Sequence, residues 1–254
     1  MDQVTSDPET APVGVEAAGN LKEEKYRTEQ TERRTELIRP STPGDLAERD
    51  YVSGQFVDRM HQLSLNIPLR FHGTPSYELK QILESGVINS GEDRIGVATS
   101  FGLKGEISVT SLRDIEDTIG DRREALAMKS QGMAVKRAGY IGIIDEEVPL
   151  GCVFVLMPNT PEEAYKGENA GSLLSRMSNV NLRGARALGV LTSEEFKSQA
   201  ERMISENGYK GMKVLTYREF AEKPESLTEG VGSTFPWVEG YKPPPPRPSL
   251  SISL

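Results

Sequence analysis

Apolar positions along this 254-residue chain gather in the middle and thin out towards both ends. Residues 1–44 are rich in Glu, Thr, Pro and Arg, with few large apolar side chains. A segment that buries so little cannot offset the entropy of ordering it, so a disordered N-terminal arm is expected. Beyond Asp45, the residues Leu46, Val52, Phe56, Met60 and Leu63 recur at near-helical spacing. They predict an amphipathic helix between Pro43-Gly44 and Asn66/Pro68. Residues 69–74 predict a first strand. A helix follows, with Thr74 or Ser76 as its cap, Pro75 near its first turn and Leu79, Ile82 and Leu83 on one face. Gly86 stands where the chain leaves that helix through left-handed backbone. Residues 89–105 are glycine-rich and aperiodic, and predict a loop. Residues 106–112 alternate and are β-branched, predicting a strand with Ser108, Thr110 and Leu112 on one face.

Asp114 caps a predicted helix through about residue 129. Residues 140–144 predict a short strand, and residues 151–157 a stronger one. The latter is apolar throughout and is expected to be central and buried on both faces. Residues 159–182 read as an irregular excursion. Ser193 caps a predicted helix that Gly208 stops, and residues 211–217 form the last predicted strand. From residue 221 the chain turns rich in Pro, Gly and Ser, predicting a disordered tail over 221–254. Phe235 and Trp237 are the residues through which such a tail would anchor if it packs. Its run from Lys242 through Pro248 dictates polyproline II and cannot join a core. The elements place one α+β domain over residues 45–220, built of short strands interleaved with helices.

Composition narrows the function. The net charge is -8, and an acidic chain is ill-suited to unselective nucleic-acid binding, which relies on neutralising phosphates. The single cysteine, Cys152, excludes an intramolecular disulfide and a cysteine-based zinc site. It lies inside an apolar strand, where a buried, inert thiol is expected. The two histidines, His61 and His72, do not stand four apart, so no metal site is expected. Gly91, Gly96, Gly102 and Gly105 follow neither dinucleotide-fold nor P-loop spacing. No apolar leader and no membrane-length apolar run is present, so a soluble, cytoplasmic protein that does not engage membranes is expected, with export by a route lacking a cleavable signal left open.

The candidate chemistry lies at Phe71-His72-Gly73-Thr74, which delivers a histidine and a residue without a side chain to a strand end. It is followed by Ile82-Leu83-Glu84-Ser85-Gly86-Val87, by Ile107-Ser108-Val109-Thr110-Ser111 and by the turn Asn207-Gly208-Tyr209-Lys210-Gly211. This order resembles the ADP-ribosyltransferase superfamily over roughly residues 69–220. It is closest to the branch with a Tyr/Phe-His-Gly-Thr signature, which holds poly-ADP-ribose polymerases and tRNA 2′-phosphotransferases. The resemblance implies a split β-sheet core with flanking helices and a central cleft. It also implies NAD as substrate and mono-ADP-ribosylation, the transfer of a single ADP-ribose to a protein or nucleic-acid acceptor.

That chemistry gives each residue a task. Cleaving the N-glycosidic bond of NAD releases neutral nicotinamide and leaves an oxocarbenium-like ribose, so the enzyme must hold both while positive charge develops. Gly73, lacking Cβ, can turn its backbone N–H and C=O edge-on to the carboxamide. His72 can bond a ribose hydroxyl, and Thr74, Thr110 and Ser111 can orient their neighbours. Glu219, after the last strand, is the candidate catalytic carboxylate, with Glu146 or Glu147 as the alternative. A solvated strand-end charge is the competing reading of Glu219. The branch's tyrosine on the second strand is replaced here by Ser108, Thr110 and Ser111. Two other readings stay open: an RNA 2′-phosphotransferase on the same fold, and a non-catalytic interaction module acting through its arms. The proline run could meet a polyproline-binding groove.

Overall fold

The structure is a computed structural model that describes residues 55–74, 76–88, 106–109, 111, 151–165, 175–209 and 211–243. The expected N-terminal arm, the glycine-rich loop, the helix after Asp114, the strand over 140–144, Thr110, Glu146 and Glu147, and residues 244–254 lie outside the described residues.

Eight strands and seven α-helices are described. They are α1 (Val57–Ser64), β1 (Arg70–Thr74), α2 (Leu79–Ser85), β2 (Val87–Ile88), β3 (Glu106–Val109), β4 (Cys152–Leu156), α3 (Pro161–Tyr165), β5 (Ser175–Ser178), β6 (Val180–Asn181), β7 (Ala187–Thr192), α4 (Lys197–Glu206), β8 (Lys213–Thr216), α5 (Tyr217–Glu222), α6 (Glu225–Thr228) and α7 (Val231–Thr234). Strands β1, β4, β7 and β8 form a mixed sheet in that order. The first two pairings are antiparallel and the last is parallel. A parallel neighbour needs a crossover, and α4 supplies it. Two two-stranded antiparallel ladders, β2 with β6 and β3 with β5, complete the α+β architecture.

Strand β4 is central, and all five of its residues are buried. That is the outcome its unbroken apolar run demands. Val153 and Val155 face a cluster with Phe56 and Met60, Phe71 of β1, Leu191 of β7, Tyr217 and Phe220 of α5, and Leu227, Val231 and Phe235. Phe154 and Leu156 face a second cluster with Leu79, Ile82 and Leu83 of α2, Ile107, Val109, Met177 and Val180 of the ladders, and Ala200 and Ile204 of α4. The sheet is therefore covered on both faces. Burying a side chain the size of Phe154 contributes on the order of 1.5–3 kcal/mol.

Several local expectations meet the structure directly. Gly86 leaves α2 with φ 72°. A Cβ there would stand 3.1 Å from the Tyr209 hydroxyl, which itself donates to the Leu83 carbonyl at 3.0 Å. Gly208 leaves α4 with φ 79°. Other expectations are corrected. No side chain caps α2, which instead starts from a short 3-10 turn over Ser76–Glu78. Ser193 does not cap α4; an intervening turn separates them, and its buried hydroxyl has no hydrogen-bond partner among the described residues. The excursion over 159–182 contains α3, β5 and β6, and the unassigned stretch before Ser193 is the sheet strand β7. Folded structure continues past residue 220. Residues 221–243 form α6, α7 and a 3-10 turn over Pro236–Gly240, and they seat Leu227, Val231 and Phe235 in the first cluster. Phe235 and Trp237 do anchor this segment, because so much apolar area gains by leaving water.

Candidate functional site

Alternation along β1 divides its side chains between the two faces. Phe71 enters the first cluster. Arg70, His72 and Thr74 fall on the opposite face, and within β1 only His72 is not fully buried. Register places Arg70 opposite Leu156, His72 opposite Phe154, Gly73 opposite Val153 and Thr74 opposite Cys152. Among the described strands β1 is the edge of the sheet, so alternate residues turn their N–H and C=O groups away from β4. Strand β3 packs close to β1. Its inward residues Ile107 and Val109 are buried, and so is Ser111 just beyond it. The His-Gly-Thr strand and the Ser/Thr strand are thus neighbours.

Thr74 is 2% exposed, and its hydroxyl donates to the Glu78 carboxylate at 3.3 Å. That contact ties the end of β1 to the turn that starts α2. Thr74 pairs with Cys152 and Thr192 with Thr216, and a side-chain hydrogen bond joins Cys152 to Thr192. Burial pushes the Cys152 thiol up to about 12, and its hydrogen bond with Thr192 Oγ1 recovers little of that. Cys152 is therefore inert at neutral pH, as its apolar strand implies.

Glu219 lies elsewhere. It is the third residue of α5, beyond β8, on the opposite edge of the sheet from β1. Three strand spacings separate the two edges, about 14 Å. Its Oε2 accepts from the Thr216 N–H at 2.7 Å while the Thr216 hydroxyl accepts from the Glu219 N–H at 3.1 Å, a reciprocal capping box. Its Oε1 meets the Lys197 ammonium at 2.5 Å. Partial burial raises its carboxyl, but the hydrogen bonds and charge of Lys197 and the Thr216 N–H hold it below the ordinary carboxylate value. The sequence Thr216-Tyr-Arg-Glu219 carries the capping-box pattern, so this role was legible from spacing alone.

Two polar groups near β1 carry no such signal. Arg70 is fully buried; its guanidinium donates to the Leu69 carbonyl at 3.2 Å and to the Ala164 carbonyl at the end of α3. Glu163 of α3 accepts from Asn159 N–H at 2.6 Å, from the Ser178 N–H at 2.7 Å and hydroxyl at 2.6 Å, and from Arg186 at 2.8 Å. Arg186 also donates to the Met157 carbonyl at 3.0 Å. Burial raises the Glu163 carboxyl, yet the bonds from Asn159 and Ser178 and the Arg186 charge hold it below the ordinary value. A shallow open depression beside this network is lined by Asn159, Thr160, Glu162, Glu163, Tyr165 and Ser178. It lies past the end of β4 that pairs with Arg70.

Among the described residues no group of three or more His, Cys, Asp or Glu could hold a metal ion, and no helix is long and apolar enough to cross a membrane. Comparison with protein-family models, curated proteins and solved structures finds no match for this chain.

Proposed function

We propose that the chain is an NAD-dependent ADP-ribosyltransferase whose dinucleotide site lies along the outer edge of β1, between the four-stranded sheet and the β3–β5 ladder, on an ADP-ribosyltransferase-like split core. The adjacency of β1, which bears His72, Gly73 and Thr74, and β3, which Ser111 follows in the sequence, supports this reading. Three features support it further. An edge strand leaves backbone groups able to meet a planar carboxamide edge-on. His72 keeps solvent access between buried neighbours. Thr74, bonded to Glu78, holds the turn behind it.

In this reading the N–C1′ bond breaks with its electron pair leaving on nicotinamide, and an acceptor nucleophile bonds to C1′ and loses its proton. Gly73 orients the carboxamide and His72 a ribose hydroxyl. Glu219 would have to surrender a capping box and the Lys197 pair to reach across the sheet, so the carboxylate role falls to Glu146 or Glu147. The chain runs from these residues into β4, whose first residue Cys152 pairs with Thr74.

The placement of Glu219 also favours a second reading, in which the same fold serves as a non-catalytic interaction module. One experiment separates the two. The enzyme releases nicotinamide from NAD and melts at a higher temperature with saturating NAD. A protein that is stabilised but releases nothing is a binding module. One that does neither removes NAD altogether.

A further inference from the structure

Helix α4 closes on a Schellman motif. Asn207 ends the helix with φ -85° and ψ 7°. Gly208 follows with φ 79°, and its N–H donates to the Ser205 carbonyl at 3.0 Å. The Tyr209 N–H donates to the Ile204 carbonyl at 3.0 Å, and both side chains enter the second cluster. The buried Tyr209 hydroxyl donates to the Leu83 carbonyl at 3.0 Å, and the Arg183 guanidinium lies 4.9 Å from the centre of its ring. The end of α4 is thereby tied to the end of α2.

Asn-Gly is also the dipeptide that most readily loses its side-chain amide, because glycine leaves its own nitrogen unshielded. In that reaction the Gly208 nitrogen bonds to Asn207 Cγ and the Cγ–Nδ2 bond breaks. Nδ2 leaves as ammonia, taking the Gly208 proton. Water then opens the succinimide ring at one carbonyl to give aspartate or at the other to give isoaspartate. The folded geometry opposes the first step. Asn207 Nδ2 donates to the Met203 carbonyl at 2.9 Å, and the Gly208 N–H is engaged by Ser205. At ψ 7° the Gly208 nitrogen eclipses the Asn207 nitrogen rather than facing Cγ. Closing the ring takes a large rotation about that bond, and the rotation breaks the Schellman pair.

We infer that Asn207 is a covalent modification site, a deamidation site guarded by the α4 cap, and that its isoaspartate product releases Tyr209 from α2. The reaction proceeds only in molecules whose cap has opened, so its rate reads the local opening of α4. Isoaspartate inserts an extra atom into the main chain. That atom moves the Gly208 and Tyr209 N–H groups out of register with the Ser205 and Ile204 carbonyls. The Tyr209 ring then leaves its seat, and the Leu83 carbonyl loses its donor. The only co-reactant is water, and the inference is independent of any use of NAD.

The test incubates the full chain at mildly alkaline pH, folded or in guanidinium chloride, and follows residue 207 by peptide mapping with mass spectrometry. Conversion of the folded chain is expected to be at least roughly tenfold slower than that of the denatured one. Equal rates overturn the guard, and no conversion in denaturant overturns the site. Tyr209→Phe removes the bond to Leu83 and leaves the reacting dipeptide intact. It should speed conversion of the folded chain by about fivefold and leave the denatured rate unchanged. A folded-state rate equal to wild type overturns the tie between the cap and α2. Folded chains carrying isoaspartate are then separated, and their α2 amides should exchange with deuterium at least about tenfold faster than wild type. Exchange at the wild-type rate overturns the release of Tyr209. Asn207→Asp carries the new charge without the extra main-chain atom, and should exchange within about twofold of wild type. Loosening of α2 by Asn207→Asp as large as that by isoaspartate also overturns it, because charge alone would then account for the effect.

Discussion

The family resemblance makes His72 a ligand and Glu219 a catalyst, and at the scale of residues the two part company. His72 is half-buried on an edge strand, so His72→Ala removes little packing and is expected to change stability by less than about 1 kcal/mol. In an NAD-using protein it should nevertheless abolish most nicotinamide release and the NAD-dependent rise in melting temperature. A variant that melts well below wild type yet releases nicotinamide at the wild-type rate would remove His72 from the site. Glu219→Ala should do the reverse. Losing half a capping box and an exposed ion pair costs about 1 kcal/mol. Nicotinamide release should stay within a few fold of wild type. A fall of about a hundredfold, the size expected for losing a group that stabilises developing charge, would return Glu219 to the chemistry.

Two contacts between elements govern how the sheet is covered. Gly189 of β7 sits under α6, where a Cβ would stand 2.6 Å from Leu227 Cδ2 and 2.8 Å from the Lys213 carbonyl. The Lys213 carbonyl belongs to the paired strand and cannot yield cheaply. Gly189→Ala is expected to cost on the order of 1–3 kcal/mol. It should also shift the emission of Trp237, the chain's only tryptophan, to the red as the C-terminal segment loosens. Unchanged emission and melting would mean that α6 does not depend on this close approach. The Glu163–Arg186 network joins α3 to β5 and to the turn before β7. A carboxyl held below its ordinary value of 4.5 by folding contributes stability that is present above that value and lost as pH falls through the lower folded one. Glu163→Gln should therefore lower the melting temperature at pH 7, at a cost on the order of 1–3 kcal/mol. The gap from wild type should close below pH 4.5, and a gap independent of pH would contradict this account.

The whole molecule depends on its C-terminal third more than its composition suggests. Leu227, Val231 and Phe235 come from a stretch rich in Gly, Pro and Ser, yet they close the cluster over Val153, Val155 and Leu191. Each contributes on the order of 1.5–3 kcal/mol, so together they rival the net stability of a domain. A chain ending at residue 220 should be insoluble or molten, and one ending at residue 243 should melt cooperatively. A cooperative transition in the shorter chain would show that α6 and α7 are dispensable.

Local chemistry decided what the sequence by itself could determine. The apolar run of β4 demanded a central strand, Gly86 and Gly208 marked helix ends because few other residues tolerate positive φ, and Thr216 with Glu219 spelled out a capping box. Strand β7 is hidden in the sequence because Gly189 interrupts its apolar run, and the reason for that glycine, Leu227, lies 38 positions away. The segment after residue 220 reads as disordered because short helices with few apolar residues have no periodicity to detect; their stability comes from the sheet beneath them. Tertiary structure alone decided that β1 is an edge strand with β3 beside it, and that Glu219 stands across the sheet from His72. Strand order is set by which faces bury each other, and spacing along the chain carries no record of that.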